Sequence, residues 1–83
     1  MGALLAKDRP DVRQRTAEEL LRFGANIRRL RDARGWTLEQ AAERIGFSLR
    51  TLWRLEQGKR PPAFESIVAL AVTYRVEISS LFS

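Results

Sequence analysis

Ser48, Arg50, Arg54, Lys59 and Arg60 fall within thirteen residues and together offer one hydroxyl and four cations. None of them makes or breaks bonds unaided, whereas the planar guanidinium fork of arginine matches both phosphate oxygens and the edge of guanine. The chain has no His and no Cys, which removes thiolate nucleophiles, disulfides, zinc ligands and the usual general base. A catalyst built from what is left would need a carboxylate or a lysine in a perturbing pocket, and the acidic residues fall mostly on predicted solvated faces. The available chemistry is recognition of anions and base edges; neither an enzyme, nor a metal site, nor another cofactor is expected.

Those donors need a rigid carrier, and the run from Gly46 to Arg60 provides one. Ser48 is placed to cap a helix over 48–57, Leu52 and Leu55 turn inward with Phe47, and Gly58 closes the last turn. One short turn earlier lies another small helix. Thr37-Leu38-Glu39-Gln40 reads as a capping box, and Ala41, Ala42 and Ile45 form its inner face before Gly46. Little other than DNA reading calls for a capped, basic helix one turn after another small helix.

The remaining elements read as supports. Thr16-Ala17-Glu18-Glu19 has the form of a capping box and predicts a helix start at Thr16. Leu20, Phe23, Ile27, Leu30 and Arg31 then follow one stripe to a C-terminal cap at Gly35, with Gly24 a mild weakness inside it. Pro10 can open an earlier turn over Asp11 to Arg15, but Val12 is all that segment has to bury. Pro61-Pro62 forces an extended link, after which Phe64, Ile67, Val68, Ala71 and Val72 give a fourth, apolar helix. Val76, Ile78, Leu81 and Phe82 give a last short helical turn, and Tyr74 reads as a core residue with its hydroxyl in water. No period-two run of strand length occurs. The expected fold is all-α, a compact bundle of five short helices. Residues 1–15 form an N-terminal segment, partly disordered or a short extra helix, and 16–83 form the single domain.

The formal charge is +5, with nine basic and five acidic groups in residues 1–35, five and three in 36–62, and one and two in 63–83. The positive excess therefore sits in the first two thirds. Thirteen of the fifteen basic residues are Arg, a bias that either phosphate and guanine recognition or a GC-rich genome would produce. No apolar span reaches membrane length and no signal peptide is recognisable, so a cytoplasmic, nucleoid-associated protein without membrane contact is the default.

From Phe23 to Phe82 the sequence resembles the Cro and phage-repressor type of helix-turn-helix domain, also called the Xre family. The match rests on Ile27-Arg28-Arg29-Leu30-Arg31, Gly35-Trp36-Thr37, Ala41 to Ser48, and Leu55-Glu56-Gln57-Gly58-Lys59-Arg60. The resemblance implies a lambda-repressor-like fold in which Ala42 sits at the helix crossing and Gly46 holds a left-handed turn. It implies a structural ion pair between Arg31 and Glu56. It places the helix over 48–57 in the major groove, with Ser48, Leu49, Arg50, Trp53 and Arg54 towards base edges. Arg50 is the candidate for bidentate guanine reading, while Arg54 can read a base or grip phosphate. Thr37 and Gln40, at the start of the second helix, with Lys59 and Arg60, would meet phosphates.

The implied function is a sequence-specific transcriptional regulator that binds double-stranded DNA as a homodimer on a palindromic operator. A dimer is expected because one such domain contacts too few bases for genomic selectivity, and Ile78, Leu81 and Phe82, with part of the fourth helix, are its expected surface because they exceed what so small a core can absorb. Phage repressors, restriction-modification controllers and some antitoxins share this size and pattern. One departure stands out: Leu38 occupies a position that is commonly Gln, and Leu49 and Trp53 lie on the outer face of the third helix. These three apolar groups define the alternative, a helix-turn-helix scaffold repurposed as a protein-interaction module.

Overall fold

Pro10 opens the longest element of the chain. The computed structural model describes residues 2–83. Its helices are α1 (Pro10–Ala33), α2 (Leu38–Ile45), α3 (Leu49–Glu56) and α4 (Phe64–Tyr74), with short 3-10 turns at Ala6–Asp8 and Ile78–Leu81. Among the described residues there are thus four α-helices rather than five, because the C-terminal segment closes as a single 3-10 turn and not as a fifth helix. Nor are all of them short, since α1 has 24 residues.

The start of α1 corrects the reading of Thr16. Proline at the first helical position has no N–H to leave unpaired and a backbone angle already suited to the helix. Asp11 supports that end: its carboxylate pairs with Arg9 at 2.6 Å and accepts from the Val12 N–H at 2.9 Å. Thr16 is consequently a helix-interior residue whose hydroxyl donates back to the Val12 carbonyl at 2.7 Å, and Glu19 pairs with Arg15 at 3.0 Å instead of reaching a cap. The expected division after residue 15 falls inside this uninterrupted helix.

The core gathers Phe23 and Ile27 from α1, Ala41, Ala42 and Ile45 from α2, Leu52 and Leu55 from α3, Leu70, Ala71 and Tyr74 from α4, and Leu81. Leu30, Trp36, Leu38, Phe47 and Ile67 pack against its edge. α1 lies directly on the end of α3. A Cβ on Gly24 would stand 2.4 Å from the Glu56 carbonyl oxygen and 2.6 Å from that of Leu55, so this glycine is a condition of the packing and not the weakness its helical position suggested.

In α4 the inward face is Leu70, Ala71 and Tyr74 with half-buried Ile67, while Phe64 and Val72 are 74% and 70% exposed and Val68 is exposed between them. Only Ile67 and Ala71 of the five predicted inner residues face inward. The helix is apolar nearly all round, so periodicity alone does not choose its buried side. Tyr74 is fully buried, and its hydroxyl has no hydrogen-bond partner among the described residues, which corrects the expectation of a wet phenol. Its ring stacks on Trp36 at 5.8 Å; the Arg34 guanidinium lies over the Tyr74 ring, 5.0 Å from its centroid, and donates to the Tyr74 carbonyl, while Arg44 lies over Trp36, 4.5 Å from its centroid.

Candidate nucleic-acid interface

The α2–turn–α3 unit is built by local chemistry. Thr37 accepts from the Gln40 N–H at 3.1 Å, and Gln40 Oε1 accepts from the Thr37 N–H at 2.8 Å, closing a full capping box at the start of α2. Gly46 ends α2 with φ 91°, in the left-handed region, and the N–H groups of Gly46 and Phe47 both donate to the Ala42 carbonyl at 2.9 Å. Ser48 then caps α3 by accepting from the Thr51 N–H at 3.1 Å. At the other end of α3, Gly58 N–H donates to Leu55 and Lys59 N–H to Arg54, a Schellman closure that directs the chain out towards Lys59 and Arg60.

Burying Leu52, Leu55 and Glu56 leaves the opposite side of α3 to Leu49, Arg50 and Trp53, all exposed, with Arg54 half-buried beside them. Two cations are drawn towards this face from beyond the helix. Lys59 Nζ lies 4.8 Å from the centroid of the Trp53 ring, a cation–π contact, and Arg60 donates to Thr51 Oγ1 at 3.3 Å. Ser48 donates to the same Thr51 oxygen at 2.8 Å, so the start of α3 and the loop after it are tied through one threonine. The side-chain oxygen of Gln40 serves the cap, which fixes this residue at the start of α2. Among the described residues no group of three or more His, Cys, Asp or Glu is placed to hold a metal ion.

Behind this face, Arg31 and Glu56 meet in a two-pronged pair: Nε to Oε2 at 2.7 Å and a terminal guanidinium nitrogen to Oε1 at 2.9 Å. The other terminal nitrogen donates to the Trp36 carbonyl at 3.0 Å. Glu56 is buried, and its hydrogen bonds raise the Arg31 pKa above the ordinary arginine value. One contact thus joins α1, the α1–α2 turn and the end of α3.

The C-terminal residues divide. Leu81 is completely buried in its own protomer, which removes it from any dimer surface: its carbonyl accepts from the buried Asn26 amide at 3.0 Å, as does that of Ser83 at 2.9 Å, pulling the segment onto α1. Phe82 packs on Phe23 with centroids 5.2 Å apart, and Ile78 stays exposed. Asn26 and Thr51 escaped the sequence reading. Asn26 did carry a signal, as a polar residue inside the apolar stripe between Phe23 and Ile27. Thr51 had none, because its role depends on where Arg60 returns.

A family model described as a helix-turn-helix domain matches residues 22–79. Among solved structures the chain is similar to the restriction-modification controller protein C.AhdI from Aeromonas hydrophila, with TM-score 0.75 and 31% identity over 78% of this chain and 98% of that one. It is also similar in fold to an HTH_3 family transcriptional regulator from Vibrio cholerae, with TM-score 0.75 and 22% identity over 81% of this chain and 38% of that one. No curated protein matches. The capped α2, the left-handed turn at Gly46, the cationic outer face of α3 and the family match over residues 22–79 agree, and the chain belongs to the helix-turn-helix domain family, in its Cro and phage-repressor (Xre) type.

Proposed function

We propose that the chain is a sequence-specific DNA-binding transcriptional regulator that acts as a homodimer, each copy laying α3 in the major groove of a palindromic operator. The observation that carries this reading is the outer face of α3, where exposed Arg50 stands beside Arg54 and two further cations, Lys59 and Arg60, are held against the same helix. Arg50 reads a guanine edge, Ser48 and Leu49 face neighbouring bases, and Arg54 reads a base or grips phosphate. Lys59, Arg60, Thr37 and Gln40 position the backbone, with the amides at the start of α2 favouring a phosphate.

For the dimer, the exposed row Phe64, Val68 and Val72 on α4, with Ile78, offers an unpartnered apolar strip. A two-fold pair through it would present two α3 helices to half-sites about 34 Å apart. Family and fold are those of DNA-binding regulators, not enzymes. C.AhdI is a restriction-modification controller, and the same role is open to this chain.

The alternative, a protein-binding surface through Leu38, Leu49 and Trp53, keeps two exposed apolar groups, Leu49 and Trp53. Leu38 instead packs against the core, and Lys59 over the Trp53 ring gives that face a cation as well. Selection of bound duplexes from a random pool at near-physiological salt tests the proposal. A palindromic consensus that the Arg50→Ala variant relaxes by about 1–3 kcal/mol at one position supports it. Recovery of no motif, together with a protein partner lost on Trp53→Ala and kept on Arg50→Ala, would establish the interaction module instead.

A further inference from the structure

Three helices bring arginines from their C-terminal ends to one depression. It holds about 280 Å³ and is lined by Arg34, Trp36, Arg44, Thr73, Tyr74 and Arg75. Arg34 is the C-cap of α1, Arg75 the C-cap of α4, and Arg44 lies in the last turn of α2. No carboxylate lines it, and among the described residues none of the three arginines forms an ion pair. We propose that this depression is a binding site for a small phosphoryl anion.

Cations are favoured at helix C-termini, where each dipole presents about half a negative charge. Three such ends offset only about 1.5 of the three positive charges, and a surplus is left for an anion. Two of the guanidiniums are held in place by neutral groups. Arg34 donates to the Leu30 carbonyl at 2.8 Å and to the Tyr74 carbonyl, and lies 5.0 Å from the Tyr74 ring centroid. Arg44 lies 4.5 Å from the centroid of Trp36. Aromatic faces attract a cation without cancelling its charge, and the planar fork has donors to spare for an oxyanion.

Arg75 stands apart in its backbone. Among the described residues it alone has a positive φ without being glycine, at 57°. α2 ends in the same left-handed region on Gly46, which has no Cβ to resist it. At the end of α4 that position carries a cation instead, and the cation lines the depression. Trp36 already stacks on Tyr74 at 5.8 Å and lies under Arg44, which leaves charge rather than ring stacking as the means of recognition. A compact group with several oxygens and two negative charges, such as phosphate or pyrophosphate, matches guanidinium forks. No residue of α3, nor Lys59 or Arg60, lines the depression, so the site is separate from the DNA-reading face and does not depend on that reading.

The chain has two tryptophans, Trp36 in this site and Trp53 on the outer face of α3, and their indole N–H resonances report the two places separately. Pyrophosphate titrated into the whole chain at constant ionic strength should move the Trp36 resonance saturably, ahead of any response of Trp53. Arg44→Gln and Arg75→Gly should each raise the half-saturating concentration about tenfold. Arg13→Gln, which removes the same charge from an exposed site on the far part of α1, should leave it unchanged. Glycine suits the left-handed position, so Arg75→Gly should melt in chloride as the parent does, and its loss of binding is then not a loss of fold. A Trp36 resonance that stays still, that follows the same curve as Trp53, or that responds equally in all three variants would overturn the proposal. So would a random-sequence duplex that moves Trp36 where pyrophosphate does not, which would give these arginines to the DNA backbone instead.

Discussion

At the scale of single residues, the pair between Arg31 and Glu56 does more for the recognition unit than any group on its surface. A buried carboxylate bonded at 2.7 and 2.9 Å stays favourable only while its cation is present, so Glu56→Gln or Arg31→Met is expected to lower the unfolding free energy by about 3–5 kcal/mol in urea titrations. An apolar double replacement should recover part of that loss. Tyr74 makes a different prediction. Burial pushes its phenol from the ordinary 10.0 up to about 12. An unfolded chain gives up that proton earlier than the native one, so native stability should be unaffected below pH 10.0 and fall as pH rises from there through about 12. Tyr74→Phe should abolish that decline in alkaline melts and, since the buried hydroxyl has no partner among the described residues, raise stability at neutral pH by about 1 kcal/mol. The chain contains one tyrosine, so phenolate absorbance follows this group alone.

At the scale of elements, α1 and α3 meet backbone to backbone at Gly24. α1 rests on the terminal carbonyls of α3, with room for no atom at position 24. In an isolated helix, Gly24→Ala would add stability; here the two helices must separate, and thermal or chemical denaturation should register a loss of about 1–3 kcal/mol. Moving α1 also strains the Arg31 bridge, so part of the loss should disappear when Glu56→Gln is already present. α2 and α3, at eight residues each, are too short to persist as isolated helices. Their caps and the shared core hold them, so the face carrying Arg50 is a product of packing rather than of helix propensity.

At the scale of the whole molecule, the exposed row on α4 and the reading face of α3 make a joint claim. Charging the row with Val72→Glu should weaken operator binding by removing one of two half-site contacts, without lowering the melting temperature, because Val72 is 70% exposed. Sedimentation and binding isotherms on the same preparations separate the two effects. A dimer that neutralises about 6–8 phosphates should lose affinity with salt at a log–log slope of roughly −5 to −7. Lys59→Ala should flatten that slope by about 1 with base preference intact.

Local signals were legible wherever the partner lies a few residues away. The capping box at Thr37, the cap at Ser48, the turn at Gly46 and the order α2–turn–α3 all follow from side chains meeting backbone within one helical turn. The same kind of signal misled at Thr16, where proline six residues earlier offered the helix a better start, and the side chain was left to bond inside it. Which side of α4 is buried, the burial of Leu81 and the enclosure of the Tyr74 hydroxyl were decided only in the tertiary structure. Each depends on contacts between segments far apart in the chain: Asn26 drawing in the C-terminal carbonyls, and Gly24 letting α1 touch α3. Hydrophobic type alone said that these residues could be buried; the limited interior of so small a domain decided which of them were.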